Sequence, residues 1–245
     1  MGPASEKYLR VECFARTHAG CRRKVNEDAL LSRPDLGLWA VADGMGGHDA
    51  GEVASALVVG MLENTPPEPV LAARIADAQA VLQKANSQLL SMAQSEGPQR
   101  TIGSTVVLLA ADTASFVCLW AGDSRAYLVR DGALRQLTRD HSLVQQLVDS
   151  GDIDPKTAAT HPNANIILRA VGAAPELEID GVEGLARPGD IFLLASDGLT
   201  RLIEDDELLE ALRAADMEMA ADGLLKLCLA RKAPDNVTFV IIRVD

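Results

Sequence analysis

Leu38-Trp39-Ala40-Val41-Ala42-Asp43-Gly44 joins an unbroken apolar run to an Asp-Gly step. A short apolar run bounded by turn-forming residues reads as a strand buried on both faces. The next two segments read as helices. Residues 51–63 carry Val53, Leu57 and Met61 at i, i+4 and i+8. A second helix spans about residues 68–94, with Leu71, Ile75, Ala78, Leu82, Ala85, Leu89 and Met92 spaced 4, 3, 4, 3, 4, 3. That spacing puts all of them on one helical face and implies an antiparallel partner helix.

Outward from this start, further apolar runs read as strands: residues 105–109, 116–120, 126–130, 191–195 and 237–244, the last rich in β-branched residues. Arg130-Asp131-Gly132-Ala133 is a hairpin turn leading into a strand through Leu134 and Leu137. Residues 142–150, 205–215 and 217–232 read as helices. A strand, two helices, a block of strands, a polar middle, a strand, two helices and a last strand is not strict βαβ alternation. The order predicts an α+β fold of antiparallel sheets with helices paired outside them, in one domain over residues 1–245. The polar segment 139–165, with Gly151, Pro155 and Pro162, reads as a partly helical surface insertion.

Composition narrows the function. The 245 residues carry 23 Lys and Arg against 35 Asp and Glu, a net charge of −12, with 48% hydrophobic residues. An acidic chain argues against affinity for a nucleic-acid backbone or an anionic membrane, and suits divalent cations. Residues 1–10 show no apolar signal-peptide core, and no run approaches the ~18 residues of a membrane span. Cys13, Cys21, Cys118 and Cys228 form no Cys-x-x-Cys, and a zinc site at Cys13, His18 and Cys21 lacks a fourth ligand nearby. Reduced thiols in a cytoplasmic protein are the simpler reading.

The informative pattern is the placement of aspartates. Asp43 and Asp197 each follow an apolar run and precede glycine, Asp123 follows residues 116–120, and Asp235 precedes residues 237–244. Any one Asp-Gly is ordinarily a turn, as Asp131-Gly132, Asp180-Gly181 and Asp222-Gly223 are expected to be. Several carboxylates at strand ends of one sheet system are different, because packing would gather them and a hard divalent cation would relieve their repulsion. With no His or Cys among them, the donor set favours Mg²⁺ or Mn²⁺ over Zn²⁺. Two such ions can hold and deprotonate a water for attack on phosphorus. Arg22-Arg23-Lys24-Val25-Asn26-Glu27-Asp28 supplies guanidinium groups suited to phosphate beside further carboxylates.

Taken together, Arg23-Lys24-Val25-Asn26-Glu27-Asp28, Val41-Ala42-Asp43-Gly44-Met45-Gly46-Gly47-His48, Gly103-Ser104-Thr105, Ala121-Gly122-Asp123-Ser124-Arg125, Leu137-Thr138-Arg139-Asp140-His141-Ser142, Ala195-Ser196-Asp197-Gly198 and Asp235-Asn236-Val237-Thr238 resemble the bacterial metal-dependent Ser/Thr protein phosphatases of the type 2C, or PPM, family. The resemblance covers about residues 10–245. It implies a β-sandwich of two antiparallel sheets flanked on each side by a pair of helices. By matching positions, Asp43 would bridge two Mn²⁺ or Mg²⁺ ions with the Gly44 carbonyl on one, and Asp197 and Asp235 would complete the other. Glu27 and Asp28 would hold metal-bound waters, Arg23 would bind the substrate phosphate, and Asp123 with Asp197 would hold a third, weaker ion. Residues 139–165 correspond to the family's flap.

Eukaryotic members of the family often carry a His, proposed as general acid, where this chain has Met45; a metal-bound water is then the expected acid. For His48 a packing or helix-start role is favoured. The resemblance further implies phosphoprotein substrates, an opposing Ser/Thr kinase, and a cytoplasmic monomer. A pseudophosphatase is disfavoured because Arg23, Asp43, Asp197 and Asp235 are all present, and a phosphodiesterase because no His joins the acidic group.

Overall fold

Trp39 and Val41 point into one hydrophobic layer while Leu38, Ala40 and Ala42 point into another, and all five are fully or nearly fully buried. Successive side chains of a strand face opposite sides, so this strand lies between two packed layers. The computed structural model describes residues 9–46, 50–96 and 100–245; His48 lies outside them.

Along the chain run β1 (Val11–His18), β2 (Asp28–Arg33), β3 (Leu38–Gly46), α1 (Ala50–Glu63) and α2 (Leu71–Glu96). Next come β4 (Ile102–Ser104), β5 (Val106–Ala111), β6 (Ser115–Ala121), β7 (Arg125–Arg130) and β8 (Ala133–Gln136). The polar segment 139–165 holds α3 (Leu143–Ser150) and α4 (Pro155–Ala159). β9 (Asp180–Leu185), β10 (Ile191–Ala195), α5 (Asp197–Thr200), α6 (Asp205–Leu212), α7 (Met217–Ala230) and β11 (Val237–Val244) complete it. Among the described residues the strands form two antiparallel sheets, ordered β1-β11-β10-β7-β8 and β2-β3-β5-β6-β9, with β4 paired to β3.

Three apolar layers hold the sheets and helices together. The first packs α1 and α2 on the outer face of the β3 sheet through Ala54, Val58, Leu62, Leu82 and Leu89. The second packs α6 and α7 on the outer face of the β10 sheet through Leu208, Leu212, Leu224 and Cys228. Between the sheets lie Trp39, Val41, Leu109, Phe192, Leu194 and Val240. Phe116 and Phe192 meet there edge to face, with ring centroids 4.9 Å apart. The expected α+β sandwich with paired outer helices is therefore the observed architecture.

Several local expectations are corrected. On α1 the buried stripe is Ala54, Val58 and Leu62, whereas Val53 is 45% exposed; the apolar spacing of Val53, Leu57 and Met61 marks the helix but not its buried face. β1, β2, β4 and β9 carry too few consecutive apolar residues to stand out. Asp180-Gly181 opens β9, and Asp222-Gly223 lies inside α7, so neither is a turn. The glycines of β9 answer to packing: a Cβ at Gly184 would stand 2.8 Å from the Phe116 ring. Asp131-Gly132 is a hairpin turn, with φ of 52° and 74°.

Candidate metal centre

At one end of the sandwich the inward-facing positions change from apolar to polar. On β10 the inward series Phe192 and Leu194 continues to Ser196; on β11 Ile242 and Val240 continue to Thr238 and Asn236. On β3 Trp39 and Val41 continue to Asp43, and Val107 of β5 gives way to Thr105 just before that strand. The period-2 register of the core thus carries a polar layer out of its open end.

β3 runs through Gly46, so Asp43 sits within the strand rather than after it, directly opposite Asp28 of β2. The Asp43 N–H donates to Thr105 Oγ1 at 3.1 Å, and its carbonyl accepts from the Thr105 N–H at 2.8 Å. Both backbone groups are spent, and the carboxyl is fixed toward the seam between sheets. Ser196 Oγ donates to Asp28 Oδ2 at 2.8 Å, linking the two sheets across that seam. Asp197 opens α5, one residue after β10, near enough to Asp43 for each carboxyl to shift the other's titration. Asp123 lies in the β6–β7 connection, which crosses from one sheet to the other.

Glycine is required directly after two of these aspartates. A Cβ at Gly44 would stand 1.9 Å from the Gly51 carbonyl oxygen, and one at Gly198 would stand 1.8 Å from the Asn236 carbonyl oxygen. Glu27 packs its carboxylate against Gly51, where a Cβ would stand 2.4 Å from Oε1. Asn236 holds the loop before Glu27: it accepts from the Glu27 N–H at 2.8 Å and donates to the carbonyls of Val25 at 3.0 Å and Ala19 at 3.1 Å.

The electrostatics are those of carboxylates crowded without enough positive charge. Burial, then repulsion from Asp197, Asp28, Asp123 and Asp235, holds the Asp43 carboxyl well above the usual carboxylate range. Burial raises Asp28 to about 7 against hydrogen bonds from Thr238 and Ser196. Burial and Asp197 raise Asp123 to about 7 against the pull of Arg201. Burial also raises Asp197, and Arg201 opposes it.

Two arginines stand among them. Arg23, its side chain 49% exposed, donates to Asp235 Oδ2 at 2.8 Å and lies 4.0 Å from Glu27. Arg201 lies 3.2 Å from Asp123 Oδ2 and 2.9 Å from Asp197 Oδ2. A cleft of about 340 Å³ is lined by Arg22, Arg23, Asn165, Asp197, Arg201 and Asp235 among others. A second, of about 420 Å³, reaches from Asp123 and Asp197 to helices α3 and α4.

The structure thus brings Asp28, Asp43, Asp123, Asp197 and Asp235 into one electrostatic group, with Glu27, Gly44 and Arg23 at its edge. Among the described residues no three His, Cys, Asp or Glu side chains stand at metal-ligand spacing. The group nevertheless fits hard divalent cations. Its donors are oxygens alone, their raised protonation calls for positive charge, and the buried Asp123 Oδ1 has no hydrogen-bond partner. Sequence reasoning missed Arg201, and it quoted Thr105, Ser196, Asn236 and Thr238 within motifs without giving them a role. The visible signal was the switch from apolar to polar at the inward period-2 positions.

Known proteins resemble this chain over nearly its whole length. The profile of the family described as Protein phosphatase 2C matches residues 18–226. The serine/threonine protein phosphatase PstP of Mycobacterium tuberculosis is 39% identical over 229 residues, 93% of this chain. The chain spans only 44% of that relative's length. The solved structure of PppA, described as a key regulatory component of T6SS in Pseudomonas aeruginosa, is 41% identical with a TM-score of 0.90, covering 97% of this chain and 99% of PppA. The catalytic domain of PstP, solved in complex with two manganese ions, is 36% identical with a TM-score of 0.85, covering 96% of this chain and 99% of that one.

Proposed function

The chain belongs to the protein phosphatase 2C family, and on that premise we propose that it hydrolyses phosphoserine and phosphothreonine monoesters in proteins, using Mn²⁺ or Mg²⁺ bound by its acidic group. The observation that carries this reading is the gathering of Asp28, Asp43, Asp123 and Asp197, from both sheets, at the polar end of the sandwich. Asp43, Asp197, Asp235 and the Gly44 carbonyl would hold two ions in the centre. Asp123 with Asp197 would hold a third, weaker one. Bound there, the ions would neutralise the phosphoryl oxygens and lower the pKa of the attacking water.

The remaining work falls to the chain's own groups. Asp28 and Glu27 accept hydrogen bonds from the attacking water and orient it. Arg23, exposed at the mouth of the cleft, receives the phosphate oxygens in its guanidinium fork. Taking the phosphate requires Arg23 to loosen its pair with Asp235, which binding of a cation by Asp235 favours. Met45 has no proton to give the leaving oxygen.

In this reading the 245 residues act as one catalytic domain with a flap at 139–165, as a cytoplasmic monomer in signal transduction that opposes a Ser/Thr kinase. Among the described residues no helix is long and apolar enough to cross a membrane.

The test is phosphate release from a phosphothreonine peptide with Mn²⁺, with Mn²⁺ plus excess EDTA, and from a phosphodiester as control. Turnover that needs the metal and spares the diester is expected. Undiminished turnover in EDTA, or preference for the diester, would overturn the reading.

A further inference from the structure

Arg201 follows α5, four residues after Asp197, and its guanidinium stands between the two carboxylates assigned to the third ion. Nη2 donates to Asp123 Oδ2 at 3.2 Å and lies 2.9 Å from Asp197 Oδ2. The same guanidinium reaches the end of the flap: Nη2 lies 3.3 Å from the Ala164 carbonyl oxygen, and Nη1 donates to Asn165 Oδ1. A single nitrogen shared among three oxygens is a poor fit for all of them. It also leaves the buried Asp123 Oδ1 without a hydrogen-bond partner.

We propose that Arg201 is a built-in cation that competes with a divalent ion for Asp123 and Asp197, and so sets the affinity of that position. A guanidinium and a divalent ion cannot share the same two Oδ2 atoms, because like charges at that separation repel. Entry of the ion therefore expels Arg201 and breaks its bonds to Ala164 and Asn165. Linkage makes the effect reciprocal: docking of residues 164–165 on Arg201 weakens the ion, and the ion loosens that docking. Arg201 is 40% exposed, so the expelled side chain has solvent to enter.

The inference rests on the carboxylates being cation ligands, and the experiment separates the two. Mn²⁺ binding to the full chain is measured by titration calorimetry for wild type, Arg201→Ala, Arg201→Lys and Arg201→Ala/Asp123→Asn, with circular dichroism to establish folding. Arg201→Ala should bind the weakest ion about tenfold more tightly than wild type. Arg201→Lys should fall between, and the double variant should lose that ion while keeping the other two. Limited proteolysis between α4 and β9 should speed up with Mn²⁺ in wild type and be equally fast with or without it in Arg201→Ala. An unchanged or weakened third ion in folded Arg201→Ala would overturn the competition. Absence of any Mn²⁺ binding by wild type would overturn the metal reading itself.

Discussion

Asp28 and Asp43 are direct cross-strand partners at a position where β2 and β3 exchange no backbone hydrogen bonds: the Gly44 N–H reaches the Glu27 carbonyl at 3.0 Å, one step along, while both Asp43 backbone groups turn to Thr105. Such pairs bring side chains closer than hydrogen-bonded ones. Two carboxylates opposed in this way repel and destabilise the sheet unless charge is supplied from outside.

This pair makes stability depend on pH and metal together. The folded chain holds Asp28 at about 7 against an ordinary 3.8. A carboxyl raised on folding stabilises below its unfolded pKa, and that contribution is lost as pH rises through the folded one. Without metal, Tm should fall between about pH 4 and pH 7 and level off above, and Mn²⁺ should remove most of the fall. A metal-free Tm that climbed across this window would contradict the crowding.

Asp43→Ala should weaken Mn²⁺ binding and lower kcat by at least about 100-fold, because even residues that only support a metal ligand cost 10–100-fold. The same change should raise the Tm of the metal-free chain by removing the most crowded charge. Normal metal affinity and turnover in this variant would exclude Asp43 as the bridging ligand.

Arg23→Ala should separate substrate binding from metal binding. Calorimetry should find its Mn²⁺ stoichiometry intact, while KM for a phosphopeptide rises several-fold and kcat falls if the contact tightens in the transition state. Unchanged KM and kcat would return Arg23 to its role as the ion-pair partner of Asp235.

Asp123→Ala should spare the two tight ions and cost more on phosphopeptides than on an aryl phosphate. An aryl leaving group needs little protonation, whereas a seryl or threonyl oxygen needs a proton that Met45 cannot provide. Equal losses on both substrates, with unaltered metal stoichiometry, would reduce Asp123 to a turn residue paired with Arg201.

Asn236→Ala should destabilise the fold by about 2–3 kcal/mol, since it strands the Glu27 N–H and two carbonyls together. Asn236→Asp should not rescue it, because a carboxylate cannot donate to Ala19 and Val25. Urea unfolding gives the energy. A higher KM in both variants would show that the Asn236 anchor also places Arg23.

By itself the sequence determined the elements whose signal is local. Continuous apolar runs at Leu38 and Ile191 revealed strands buried on both faces, and the 3–4 spacing from Leu71 to Met92 revealed α2, since burial on a regular element leaves its period in the chain. The motif residues around Asp43, Asp123, Asp197 and Asp235 were legible for the same reason, each beside a strand that could be read, whereas Arg23 stood out as part of the basic cluster Arg22-Arg23-Lys24 in an acidic chain. Pairing and environment were not local. Asp180-Gly181 and Asp222-Gly223 look like Asp43-Gly44, yet one begins an edge strand and the other is absorbed in α7. Only the tertiary structure set Asp28 against Asp43, joined Ser196 to Asp28 across the seam, and placed Arg201 between Asp123 and Asp197. These contacts span up to 168 residues of chain. Their energies depend on burial and on neighbouring charge, and both exist only once the two sheets have packed.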